Sequence, residues 1–256
     1  MGYRGQVQFQ QPLPPSFAVK WLMIINTVVW FVGVVIVEQY FLKEPYITLY
    51  LGLEPFRFVK DFFLWQPFTY LFIHATSPLH LIFNMLLLYW VGSSLERLWG
   101  TRFFLLFYFV SGVGAGILYS LAAFIYTLST GHPEILVTPV IGASAALFGC
   151  LVAYGIYFGE QLVYFMFFFP MKARYFTIFL GAIEVIMVLN NGPVQGKVAN
   201  LAHVGGIITG YIFIKVWPFI NRGGRGQSQG SSRRTKLRLV VNNDEQAKDD
   251  KPKYWN

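Results

Sequence analysis

Six apolar runs with few charges constrain this chain more than any other feature. They cover residues 21–37, 78–95, 103–128, 141–158, 175–189 and 198–217. Most approach the ~20 residues that a helix needs to cross the hydrocarbon core of a bilayer. Charged residues make up only 12% of the chain, and its mean hydropathy is +0.50. A soluble domain carries roughly 25% charged residues. The expectation is an all-α, polytopic membrane protein with six transmembrane helices. The fifth run is the least regular, because Glu184 interrupts it.

The basic residues orient these spans. With the N-terminus inside, 16 of the 20 Lys and Arg fall on the inner side, and only Lys43, Arg57, Lys60 and Lys197 lie outside. Such a bias predicts that both termini are cytoplasmic. The formal net charge of +8 then reads as membrane topology and attraction to anionic lipid. The core offers no basic face, so no nucleic-acid partner is expected. The first run follows a polar stretch, 10–15, and lacks a small-residue cleavage site, so it reads as a retained helix. Three parts are expected: a cytoplasmic segment 1–19, a six-helix core 20–217, and a flexible basic tail 218–256. The outer segment 38–77 mixes aromatic groups with charges, a pattern that suits the membrane interface.

Polar groups inside these runs are few, and they share one depth. Ser144 opens the fourth run in Gly142-Ala143-Ser144-Ala145. His203 lies about five residues into the sixth, and His80 and Asn84 stand four apart on one face of the second. All three runs head inward, so four polar groups converge on one shallow outer layer. Polar groups in lipid are costly and tend to be functional. Each alone has a plainer reading. A lone Ser in a membrane helix usually bonds its own backbone, and His80 with Asn84 would serve as a tie between helices. Together they point to nucleophilic catalysis. Gly112-x-x-x-Gly116, Gly155-x-x-x-Gly159 and Gly206-x-x-x-Gly210 let helices approach closely. The first of these lies on the third run, the others on the helices that carry Ser144 and His203.

These residues resemble the rhomboid intramembrane serine proteases. The resemblance rests on His80-x-x-x-Asn84, Gly142-Ala143-Ser144-Ala145, Ala202-His203-x-x-Gly206-x-x-x-Gly210, and Glu96-x-x-x-Gly100 after the second span. It covers about residues 65–211. It implies a rhomboid-like six-helix bundle that cleaves single-span transmembrane protein substrates within the lipid bilayer. Ser144 is then the nucleophile and His203 the base. Asn84, His80 and the Ser144 backbone N–H bind the oxyanion, while Phe148 and Gly142 pack around the pair. The fifth span resembles the family's lateral gate, with 190–197 as a movable cap. Trp65-Gln66 stands where the family often has Trp-Arg, and Phe148 where some members place a Tyr.

No acid lies in the second, fourth or sixth span at the depth of the imidazole, so a dyad without a carboxylate is expected. Asn200, one turn before His203, is a lesser candidate for orienting the ring. Glu184 reads as bonding a neighbour or helping to gate. No cofactor motif is present. His74, His80 and His132 lack the spacing of a metal site, and Cys150 has no partner for a disulfide. The compact core suggests a bacterial inner membrane. Two other readings are an inactive relative that binds membrane helices and a proton-coupled transporter using His203, His80 and Glu184. The second is disfavoured because no polar groups continue to the inner side.

Overall fold

The computed structural model describes residues 14–165, 169–191 and 198–222. The expectations for the N-terminal segment, for most of the 190–197 cap and for the basic tail therefore fall largely outside the described residues. Among the described residues, five helices are long and apolar enough to cross a membrane: α1 (Phe17–Leu42), α5 (Pro78–Trp99), α6 (Thr101–Thr130), α8 (Ala173–Asn191) and α9 (Val198–Arg222). Between them lie three short helices, α2 (Tyr46–Leu51), α3 (Pro55–Lys60) and α4 (Gln66–Thr69), and the 14-residue α7 (Ser144–Tyr157).

The fourth run departs from expectation. Its helix begins at Ser144 and not at residue 141. At 1.5 Å per residue α7 is about 21 Å long, short of the ~30 Å hydrocarbon thickness. The chain reaches its start through irregular, non-helical backbone. Leu53 and Val140 pair as an isolated bridge, and the Gly142 N–H donates to the Tyr70 carbonyl at 2.9 Å. Backbone entering the bundle without a helix needs such partners.

Small residues place α7 at the centre. Ala145, Ala146, Gly149, Cys150 and Ala153 are all buried along it. A Cβ added to Gly206 would overlap the Ala145 carbonyl, and one on Gly210 would stand 2.7 Å from the Gly149 Cα. Neither site has room for a side chain, so α7 and α9 touch backbone to backbone. Beside these glycines on α9, Thr209 Oγ1 donates to the Ser111 carbonyl of α6 at 2.9 Å.

Two polar side chains fasten the remaining parts. The Glu96 carboxylate accepts from the backbone N–H groups of Ala18 and Val19 (2.8 and 3.0 Å), from Thr101 Oγ1 at 2.6 Å, and from the Ser16 hydroxyl. It caps the first turn of α1, whose N–H groups lack intrahelical partners. Gln66 is fully buried. Its Oε1 accepts from the Glu54 N–H at 3.1 Å, and its Nε2 donates to the Leu49 carbonyl at 3.3 Å. The amide thus ties the outer segment together at the place where a guanidinium is frequent in the family. That segment still exposes Tyr46, Tyr50, Phe56 and Phe62, as an interface structure would.

The all-α expectation needs one correction. Leu162–Phe165 and Phe169–Lys172 pair as a two-stranded antiparallel hairpin, β1 and β2, between α7 and α8. The run Leu162-Val163-Tyr164-Phe165 holds one β-branched and two aromatic residues, and Pro170 disfavours a helix interior there.

Candidate active site

The glycine contacts between α7 and α9 set the geometry of the site. With those backbones touching, His203 Nε2 reaches Ser144 Oγ at 2.7 Å. Phe148, one turn after Ser144, stacks on the imidazole with ring centroids 4.4 Å apart and planes at 22°. The ring is thus held on one face and at one nitrogen. Ser144 is the first residue of α7. Its backbone N–H has no intrahelical acceptor, and the positive end of the helix dipole lies beside the hydroxyl.

His80 approaches from α5. The Ala75 N–H donates to its Nδ1 at 3.1 Å. A neutral ring with Nδ1 accepting carries its proton on Nε2. That nitrogen faces Gly142, where an added Cβ would lie 3.0 Å from His80 Nε2 and 3.6 Å from Ser144 Oγ. Gly142 keeps this space open, and its φ of +116° is one that other residues rarely adopt. A small group placed there would meet both the hydroxyl and the His80 N–H.

Asn84 is buried. Its Nδ2 donates to the His80 carbonyl on its own helix at 2.7 Å, and its Oδ1 has no partner among the described residues. That bond is intrahelical and does not tie α5 to another helix. His74, considered from the sequence only as a metal ligand, is fully buried with its ring 5.2 Å from that of His80. Burial, followed by the nearby His80, pushes the His74 imidazole down to about 4, so it is neutral at ordinary pH. Among the described residues no cluster of metal-ligating side chains is present.

One residue corrects the expectation that no acid meets the imidazole. Glu184 of α8 places Oε2 3.0 Å from His203 Nδ1. The oxygen sits off the Nδ1–H axis, so the contact is Coulombic more than a formed hydrogen bond. The same Oε2 accepts from Asn200 Nδ2 at 2.5 Å. Asn200 therefore meets the carboxylate and acts on the ring only through it. Sequence reasoning found Glu184 as an anomaly in the fifth run but had no signal for its partner.

Comparison with known proteins places the chain in a family. The family model described as Rhomboid domain matches residues 62–217. The chain is 32% identical over 150 residues to Rhomboid protease GluP of Bacillus subtilis, covering 57% of this chain and 25% of that protein. It is 27% identical over 195 residues to Rhomboid protease AarA of Providencia stuartii, covering 74% and 68%. It is 30% identical over 134 residues to Rhomboid-like protease 3 of Toxoplasma gondii, covering 52% and 46%. The chain thus spans a quarter of the length of GluP and about two-thirds of that of AarA. The match contains His80, Asn84, Ser144 and His203 together with the helices that bring them to one layer, and the chain belongs to the rhomboid family.

Proposed function

We propose that this protein is an intramembrane serine protease that hydrolyses peptide bonds of single-span transmembrane proteins. The observation that carries the reading is the 2.7 Å contact between Ser144 Oγ and His203 Nε2 at the start of α7. Ser144 Oγ attacks the peptide carbonyl as its proton passes to His203 Nε2. The same nitrogen then returns the proton to the leaving amine, and water hydrolyses the acyl-enzyme by the reverse roles. The negative oxygen forms in the space above Gly142. Donors there are the Ser144 backbone N–H, His80 Nε2–H and the Asn84 amide. Removing one donor of this kind costs on the order of 2.7–4 kcal/mol in the transition state.

The substrate class follows from the surroundings. A membrane helix hides its carbonyls in its own hydrogen bonds, so the substrate needs a locally unstable helix near the outer surface. Gly142, Ala143 and Ala145 leave little bulk around the nucleophile and favour a small residue before the cleaved bond. In this reading α7 and the non-helical 139–143 leading into it form the fourth of six spans. Both termini face the cytoplasm, and the membrane is a bacterial inner membrane. The α8 helix is the lateral gate.

The test is cleavage of a single-span reporter reconstituted with the purified protein. Ser144→Ala and His203→Ala are each expected to abolish cleavage with the fold intact. The double variant is expected to be no worse than either single one, because the two side chains act as a unit. Appreciable turnover by Ser144→Ala would end the assignment.

A further inference from the structure

We propose that Glu184 is a positioning residue for the reaction. Its carboxylate holds the Nδ1 side of His203 and balances the imidazolium that forms when Ser144 gives up its proton. This rests on the protease reading above. Four observations carry it. Glu184 Oε2 lies 3.0 Å from His203 Nδ1, on the side of the ring away from Ser144. Both side chains are nearly enclosed, with 13% and 15% of their surface exposed, so the charge is poorly screened. The Asn200 amide holds the same oxygen at 2.5 Å from one turn earlier on α9. Finally, Phe148 fixes the plane of the ring but offers nothing to Nδ1.

Proton and charge balance as follows. Before attack, His203 is neutral with its proton on Nδ1, and Glu184 is ionised. During attack the Ser144 Oγ–H bond breaks, its proton goes to Nε2, and the Oγ–C bond forms. The carbonyl π pair moves to oxygen, and the ring becomes cationic. When the C–N bond breaks, the Nε2 proton goes to the leaving amine and the ring is neutral again. Glu184 keeps its charge throughout. Without it, a cation would form at membrane depth with no counter-charge at hand, which is costly. The carboxylate arrives from α8, a different helix from either Ser144 or His203. Ring orientation therefore depends on where α8 sits.

The off-axis geometry sets the expected size. A fully aligned acid behind a catalytic histidine is worth about 10⁴-fold in kcat. Here the effect is expected to exceed ~10-fold and to stay below that figure. The test uses the purified full chain in detergent. Ser144 labelling by a fluorophosphonate and hydrolysis of a short water-soluble peptide are measured together.

Glu184→Gln is expected to slow both labelling and kcat with KM unchanged. Glu184→Asp, which keeps the charge, is expected to recover most of the loss. Wild-type rates in Glu184→Gln overturn the proposal. So does a loss that Glu184→Asp fails to recover, since that marks the side chain as a tie between α8 and α9. If Glu184→Gln loses its thermal unfolding transition, Asn200→Ala carries the test. It frees the carboxylate without removing it. A several-fold fall in kcat at unchanged KM is expected, and an unchanged kcat overturns the proposal. If wild-type protein neither labels nor cleaves, the protease reading falls and takes this one with it. Wild-type activity with an indifferent Glu184→Gln removes this one alone.

Discussion

Helices α7 and α8 run side by side, and they are built on opposite rules. Along α7 small residues predominate, and Ala145, Ala146, Leu147, Gly149, Cys150, Leu151, Ala153 and Tyr154 are all buried. Along α8 the residues are large and outward. Tyr175, Ile178, Phe179, Val185, Ile186, Met187 and Leu189 are exposed, with Phe176 buried near the N-terminal end against Trp90 of α5. A helix gripped on all sides by backbone contacts has little freedom. A helix with few buried contacts lies at the low-stability end of the fold. In the proposed reading the nucleophile thus sits on a tightly packed helix and the gate on a loosely held one. Glu184 is where the two regimes meet, because its carboxylate crosses from the loose helix to the imidazole on α9.

The contrast is open to attack at several points. The largest effect is expected from Gly206→Ala. Its new Cβ would overlap the Ala145 carbonyl and push α9 from α7, touching neither Ser144 nor His203. A shift of about 1 Å in reacting groups costs on the order of 100-fold. Cleavage of a reconstituted reporter should fall by that much while helical circular dichroism is kept. Normal cleavage by this variant would mean that α7 is not rigidly clamped.

Next in size is Asn84→Ala. Its amide is expected to bind the oxyanion only around the transition state, so kcat should drop on the order of 10- to 1000-fold with little change in KM. Unchanged kcat with a lower unfolding temperature would reduce Asn84 to a structural residue.

The third effect sharpens the account of α8. Smaller residues at Phe179 and Ile183, where these face α5, should speed cleavage of an intact membrane substrate several-fold and leave a soluble peptide unaffected. Phe176 belongs to a different class. It is 8% exposed and in contact with Trp90, so Phe176→Ala should destabilise the bundle by about 3–5 kcal/mol. Equal acceleration of both substrates by the Phe179 and Ile183 variants would deny α8 a role as a gate.

The smallest effect is one of pH. The His74 imidazole is held down at about 4 in the fold, while the unfolded ring titrates near 6.5. Its neutral form is favoured by folding. That contribution is complete above pH ~6.5, shrinks as the pH falls, and is gone below about 4. Unfolding temperature should decline over this window, and His74→Phe should flatten the decline. An equal decline in both proteins would assign the acid sensitivity to other groups.

Much of this was legible in the chain. Low charge density marked the apolar runs, and the glycine spacings marked which helices touch. Ser144, His203, His80 and Asn84 stood out because polar groups are rare at that depth. Three features were not legible, each for a physical reason. The late start of α7, at Ser144, follows a bridge between Leu53 and Val140, 87 positions apart, and hydropathy carries no trace of such pairing. The β1–β2 hairpin sits in a run as apolar as its neighbours, so only Pro170 and the β-branched residues hinted at it. The Glu184–His203 contact depends on how α8 is rotated about its own axis. That rotation is fixed by close contacts such as Gly155 against Thr177, not by any periodicity.

The central claim is that Ser144 is a nucleophile activated by His203 at the buried start of α7. The most direct measurement is mass spectrometry of the purified protein after exposure to a fluorophosphonate. The account predicts one adduct, on Ser144, absent from Ser144→Ala and strongly reduced in folded His203→Ala. Folded wild-type protein that takes no label, or that takes it elsewhere than Ser144, would contradict it.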